Sequence, residues 1–359
     1  MNPKKLKILF LQPYPTGEAA GQRFKVEQAY NSLRERGHEV TVNSFFDIQT
    51  WKILYTKGFL IKKTFNILYL WIKRLFFLLG VFRYDVVYVF MWVTPRGYPI
   101  SEWFVRKLSK KLIVDVDDEV YKTNDLNLVS SLSSCKPKSK YLVQYGDIVF
   151  HNSPQSVIEC RKLNVYSNVT HMPCSFDMQR YKPKTFIEKD YLTLGWTGTF
   201  SSAVYLKSIE PILKDIYSVK KFKLKLITNF QYSIEGIDVE VVPWRHESEI
   251  SDLSDFDIGI YPVLFDDWSK SKGGLKVQQY MSMGIPSVST NHGAATYYVD
   301  HYKTGFLANN DVEWKKYILQ LMNDEDLRES MGNLARKIAE QNFSTDVSIR
   351  DYCKIFTEF

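Results

Sequence analysis

Cysteine, histidine and long apolar runs are all scarce in this 359-residue chain, and each scarcity removes a class of protein. The four cysteines, Cys135, Cys160, Cys174 and Cys353, form no C-x-x-C pair and have no histidine at metal-ligand spacing. That excludes a disulfide scaffold and a zinc module, and the thiols read as buried or idle in a reducing compartment. No uncharged run reaches the ~20 residues needed to cross a bilayer. The apolar run at residues 6–11 is too short for a signal h-region and has no small-residue cleavage site behind it. The protein is expected to stay in the cytoplasm. Charge is not in strong excess either: 47 Lys and Arg against 40 Asp and Glu leave a formal net charge of +7. Over this length that is too mild to argue for nucleic acid. A phosphate-bearing substrate or an anionic membrane surface suits it equally well.

What is present is a globular composition, 45% hydrophobic and 24% charged, long enough for two domains of roughly 150 residues each. Residues 6–11 read as a buried strand, followed by a loop with Gly17 and Gly21 and a helical pattern over 23–36 that Gly37 closes. Residues 40–42 resume as a strand, which completes a βαβ unit and predicts a parallel sheet. The alternation continues at 86–90, 112–116 and 148–150, and starts afresh at 191–196, 223–227, 239–242, 258–261 and 286–289. Between the two series, residues 173–189 carry Pro183 and no clear periodicity, as a connector does. The expected fold class is α/β, with two facing Rossmann-like domains, parallel sheets and an interdomain cleft. Its parts are a first domain over 1–175, a linker over 176–190, a second domain over 191–343 and a terminal helix over 344–359 placed to cross back. Helices are also expected at 312–322 and 327–341, with Asn323 or Asp324 as the N-cap between them. Ligands are expected at the carboxyl ends of the strands.

Residues 48–84 contain no acidic residue, seven Lys or Arg and ten aromatics. On a helix, Lys62, Lys63, Asn66, Tyr69, Lys73 and Arg74 share one side, with Phe59, Ile61, Phe65, Ile72, Phe76 and Leu79 opposite. Two readings stand. One is a pair of amphipathic helices packed on the sheet with solvated lysines; the other is an interfacial helix resting on anionic lipid.

Residues 268–293 read W-S-K-S-K-G-G-L-K-V-Q-Q-Y-M-S-M-G-I-P-S-V-S-T-N-H-G. Gly273 and Gly274 open a helix whose amide groups suit a phosphate or sugar hydroxyls. Lys272 and Lys276 can neutralise a diphosphate, and Gln279, one turn on, can hydrogen-bond ribose hydroxyls. Gly284 and Pro286 end the helix and start a buried strand. This segment resembles the donor-binding signature of glycosyltransferase family 4, the retaining GT-B enzymes that use nucleotide sugars. The likeness is closest to the branch reading W-x-x-x-K-x-G-x-K-x-x-Q-Y-M-x-x-G-x-P. It extends to Leu194-Gly195-Trp196-Thr197-Gly198-Thr199, Val242-Pro243-Trp244, Asp257-Ile258-Gly259-Ile260 and Gly305-Phe306-Leu307. In the first half, Gly21-Gln22-Arg23, Asp115-Val116-Asp117-Asp118 and Asn152-Ser153 are similar too.

The resemblance implies transfer of a sugar from a nucleotide-diphosphate sugar, UDP- or GDP-linked, to a carbohydrate or lipid-linked hydroxyl, with retention and no metal. It also implies roles. Gly198 and Thr199 meet the diphosphate, Lys272 and Lys276 supply charge, and Gly273 and Gly274 face the donor sugar. Gln279 takes the ribose, and the backbone near Trp244 edges the nucleobase. Gly17 and Gly21 form a phosphate-closing loop with charge from Arg23, while Asp117 and Asp118 orient the acceptor or carry its proton. Many members carry two glutamates with seven residues between them in this signature; here those positions hold Ser271 and Gln279. A non-catalytic nucleotide-sugar-binding or membrane-docking subunit is the rival from another class, and a two-lobed sugar-nucleotide epimerase is a further one. Asp115-Val116-Asp117 spells D-x-D but lies on a strand, so it is read as chance. Asp115 reads as structural within that strand, and His151 as a satisfied polar residue at a strand end.

Overall fold

Apolar runs of four to seven residues, each followed by a helix-forming stretch, cannot pair as hairpins and must return through crossovers. The structure, a computed structural model, describes residues 5–54, 56–118, 121–122, 134–183 and 191–357. Its twelve strands pair in parallel throughout the described residues. The chain divides into two units, Met1–Ser175 with Ser348–Phe359, and Phe176–Val347.

In the first unit, β1 (Lys7–Gln12), β2 (Glu39–Ser44), β3 (Val86–Phe90), β4 (Leu112–Val116), β5 (Ile148–His151) and β6 (Val169–His171) form a sheet in the order β2-β1-β3-β4-β5-β6. In the second, β7 (Leu192–Gly198), β8 (Phe222–Thr228), β9 (Asp238–Pro243), β10 (Ile258–Tyr261), β11 (Ser287–Thr290) and β12 (Gly305–Ala308) order as β12-β11-β10-β7-β8-β9. Both orders reverse once, between β1 and β3 and between β7 and β10. Such a reversal leaves a crevice at the carboxyl ends of the two strands. The two-sheet α/β architecture is the one expected. The short strands β6 and β12 are additions that periodicity alone does not reveal.

The first helical stretch starts earlier than expected, at Ala20, and is interrupted by a π-helical turn over Arg23–Glu27. Its end is as expected: Gly37, at φ +90°, donates to Arg34, and His38 donates to Leu33, the paired bonds of a glycine-closed helix. Asp324 caps the Glu325–Asn342 helix by accepting from the Leu327 amide. The expected linker lies partly outside the described residues, at 184–190; before it, Phe176 bridges to Ser344 within the second unit. From Ser348 the Thr345–Thr357 helix belongs to the first unit, where Tyr352 and Phe356 are buried beside Phe10 and Tyr88.

The Leu60–Leu78 helix corrects one expectation. Arg74 does not lie with the solvated lysines but is 2% exposed, donating to the carbonyls of Gln12 and Asn43. With Leu70 and Leu78 it forms the buried side. Of the two readings of its apolar row, the one that packs it on the sheet does not hold: the row faces out, with Ile61 87% exposed and Phe65 and Phe76 each 70% exposed. Each such side chain forgoes roughly 1.5–3 kcal/mol of burial, so folding does not account for the row.

Beneath the first sheet Lys25 and Asp115 form an ion pair with both side chains fully buried. Asp115 also accepts from the Tyr88 hydroxyl at 2.5 Å, and Lys25 donates to the Val116 carbonyl at 3.0 Å. Tyr352 donates to the Lys25 carbonyl at 2.8 Å. Burial raises the Asp115 carboxyl above its ordinary range, and the Lys25 ammonium pulls it back down. Lys25→Met strands that carboxylate and is expected to cost about 3–5 kcal/mol near neutral pH, measured by urea unfolding. The raised folded pKa fixes the sign: the loss shrinks as pH falls and Asp115 takes a proton. Lys25→Met with Asp115→Leu should recover much of it.

Candidate active site

The second unit's site starts from glycines. Gly274 sits at φ +71° as N-cap of the Leu275–Ser282 helix, where a Cβ would lie 2.9 Å from that of Ala294. Gln278, fully buried, donates to the Gly273 carbonyl at 2.9 Å and fixes the turn. The first amides of this helix are thus presented beside a backbone that carries no side chain. Tyr280 locks the helix to the sheet. Its hydroxyl reaches the Ile260 carbonyl at 3.2 Å and that of Gly195 at 3.5 Å, and a Cβ on Gly259 would meet its ring at 2.5 Å.

This anchoring places Lys276 over the strands that flank the sheet reversal. Its Nζ is 5.6 Å from the Trp196 ring on β7 and 5.8 Å from the Tyr261 ring at the end of β10. Lys272 lies 5.4 Å from the Trp268 ring and 5.5 Å from that of Tyr205. Aromatic faces hold an ammonium without neutralising it. Gly198 ends β7 with no room for a side chain, since a Cβ would come 2.4 Å from Trp196. Thr199 follows it, exposed, its hydroxyl 2.9 Å from that of Ser201.

Glu249 is a residue that sequence reasoning missed. It is 3% exposed, and its carboxylate accepts from the Trp244 indole and the Gln279 amide, each at 3.2 Å, and from the Tyr181 hydroxyl at 3.3 Å. Gln279 therefore turns its nitrogen to Glu249 and leaves its carbonyl oxygen as the acceptor it presents. Ser271, by contrast, donates to the Trp268 carbonyl at 2.7 Å and closes the preceding helical turn.

The first unit carries a separate group at the carboxyl ends of β4 and β5. Asp117 accepts from the Asp118 amide at 3.1 Å and from the Asn152 side chain, and a Cβ on Gly21 would lie 2.5 Å from its carboxylate. His151, which does prove a satisfied strand-end residue, accepts from the Ser153 amide at 3.0 Å, so its other nitrogen donates to the Asp118 carbonyl at 3.1 Å. The backbone of Asp118 lies at φ +51°. Burial, with help from the Lys25 charge, drops the His151 pKa to about 3, so the ring is neutral. Arg23 is 5% exposed with its guanidinium 4.5 Å over the Phe24 ring, and the Gly17 amide donates to Glu27 at 2.9 Å. Asp115 is committed to Lys25 and Tyr88, as a structural strand residue. A recess of about 550 Å³ lined by Trp103, Arg106, Tyr141 and Tyr166 lies instead at the amino ends of β4 and β5.

Residues 262–338 match the family model described as glycosyl transferases group 1. No curated protein matches the sequence. Among solved structures, HepE from Anabaena in complex with UDP and glucose aligns over 99% of this chain and 100% of its own, at 14% identity and TM-score 0.68. Sucrose-phosphate synthase from Thermosynechococcus elongatus aligns over 98% of both chains, at 14% identity and TM-score 0.73. The catalytic domain of starch synthase IV from Arabidopsis thaliana, bound to ADP and acarbose, aligns over 99% of both, at 12% identity and TM-score 0.67. The chain has the GT-B fold, with a segment of the glycosyl transferases group 1 kind over residues 262–338.

In the second unit the amide at Gln279 and the carboxylate at Glu249 form a matched pair. Gln279→Glu would set two carboxylates side by side, and such pairs share one proton. That proton raises a folded-state pKa, so stability present at low pH is lost as pH rises. The variant is expected to unfold at a urea midpoint near wild type at pH 5 and clearly below it at pH 8. Adding Glu249→Gln should close the gap.

Proposed function

We propose that this protein is a glycosyltransferase that moves a sugar from a nucleotide-diphosphate donor to a hydroxyl acceptor, with retention and without a bound metal. The observation that carries the reading is Lys276, set at the β7–β10 reversal in the first turn of a glycine-opened helix. As the donor's glycosidic bond breaks, negative charge grows on the departing diphosphate. Lys276, Lys272 and the amides following Gly274 offset that charge from fixed positions, which is where electrostatic catalysis is strongest. Gly198 and Thr199 contribute an open backbone and a hydroxyl to the same diphosphate. Gln279 accepts from the ribose diol, and Trp244, steadied by Glu249, edges the base.

The nucleoside diphosphates named with HepE and starch synthase IV support this donor class, although UDP in one and ADP in the other leave the base open. In the first unit we assign Asp117 and Asp118 to the acceptor hydroxyl, as orienting groups or proton carriers. Gly17, Gly21 and Arg23 are assigned to the phosphate side. The acceptor is a carbohydrate or a lipid-linked saccharide, met in the cytoplasm or at the cytoplasmic face of a membrane.

Thermal unfolding with UDP, GDP and ADP tests the donor site. A bound nucleotide at a hundred times its Kd stabilises a fold by about 2.7 kcal/mol, and one of the three is expected to do so. Slow donor hydrolysis should accompany it and vanish in Lys276→Ala. No shift with any nucleotide would refute the donor site. A shift without turnover on a broad acceptor panel would instead mark a binding subunit, a reading to which the engaged hydroxyl of Ser271 lends some weight. Interconversion of sugar nucleotides without acceptor would mark an epimerase.

A further inference from the structure

The geometry points to a membrane-docking face on the first unit, in which the outer side of the Leu60–Leu78 helix lies flat on an anionic lipid surface. At about 100° per residue, Ile61, Phe65, Leu68, Ile72, Phe76 and Leu79 fall within roughly a third of the helix circumference. All six are exposed, from 47% at Ile72 to 87% at Ile61. Lys62 and Lys73 run along one border of that strip, and Lys57 and Arg83 stand just beyond the two helix ends; all four are exposed. No acidic residue falls anywhere in 48–84. An apolar strip edged by cations alone matches acyl chains below and anionic headgroups above.

The opposite side shows that this face is built rather than frayed. Leu70, Arg74 and Leu78 are buried, and Arg74 ties the helix to the backbone of Gln12 and Asn43. The helix therefore keeps its place while its outer strip inserts, and docking requires no unfolding. None of the described helices is long and apolar enough to cross a bilayer. Lying flat, these 19 residues cover about 28 Å of surface.

A second copy of the chain is the poorer occupant. Two-fold pairing sets each patch against itself, and neither copy's 48–84 segment offers a carboxylate to meet the other's lysines. The consequence for the acceptor, that it is lipid-linked, rests on the transferase reading; the lipid contact does not.

Co-sedimentation of the full chain with phosphatidylcholine vesicles, with and without phosphatidylglycerol, tests the face. Binding is expected only with phosphatidylglycerol, and to weaken as salt rises. Phe65→Ser with Phe76→Ser should weaken it at least about tenfold, as should Lys62→Glu with Lys73→Glu. The thermal shift with nucleoside diphosphate should stay at wild type in both variants, which separates loss of docking from loss of fold. No binding at low salt, or variants that bind as wild type does, would overturn the proposal. So would a concentration-dependent dimer in gel filtration that Phe65→Ser with Phe76→Ser abolishes. A nucleotide shift without lipid binding sinks the docking face and spares the transferase; lipid binding without a shift does the reverse.

Discussion

The contact on which the second unit's chemistry depends is the seating of Tyr280 on the sheet. Its ring occupies the space that a side chain on Gly259 would need, and its hydroxyl reaches carbonyls on the two strands where the sheet order reverses. A helix fixed at that point cannot rotate or slide. Lys276, one turn earlier, is then held above Trp196 and Tyr261, and Gln279, one residue earlier, meets Glu249. Gly259 clears the way for the Tyr280 ring and Gly274 for the turn that opens the helix, while Gly195 makes room for Phe256, whose ring lies beside that of Tyr280. Preorganisation of this kind suits the role proposed for the two lysines at a diphosphate, since neither would first have to be ordered.

The first unit reaches rigidity by another route, through buried charge. Lys25, Asp115, Tyr88 and Tyr352 satisfy one another where no water reaches. Tyr352 comes from the end of the chain, so the terminal helix completes a network begun at residue 25. The Lys25 charge also helps keep His151 neutral, and the neutral ring has one proton to give, to the Asp118 carbonyl. Asp118 itself adopts a left-handed conformation that a non-glycine residue seldom adopts. Strain at such a position is often retained where chemistry needs it, which agrees with the acceptor-side role proposed for Asp117 and Asp118.

How much of this was legible in the sequence follows from the range of each interaction. Strands β3, β4 and β10 match their expected bounds, because an apolar run bounded by breakers is a local signal. Gly37 and Asp324 were legible as caps for the same reason. The glycine-opened helix with its two flanking lysines could be read because its residues are nearly consecutive. Glu249 could not: it lies 30 residues before Gln279, and nothing local to either position announces the pairing. Lys25 was hidden likewise, 90 residues from the Asp115 it neutralises. The π-helical turn at Arg23–Glu27 leaves no mark in the hydrophobic pattern either.

The Leu60–Leu78 helix shows a further limit, since periodicity gives the relative angle of side chains and not which direction is inward. This helix is apolar on two opposed sides, so both orientations bury hydrophobic surface. The difference lies in Arg74, whose donors meet two main-chain carbonyls at the edge of the first sheet. Turned outward, the helix would leave those carbonyls without this guanidinium, and its Leu70 and Leu78 would lie in water. Turned inward, Phe65 and Phe76 are the ones exposed. One hydrogen-bonded guanidinium therefore selects the orientation, and the aromatic strip left outside is surface that a lipid contact can bury.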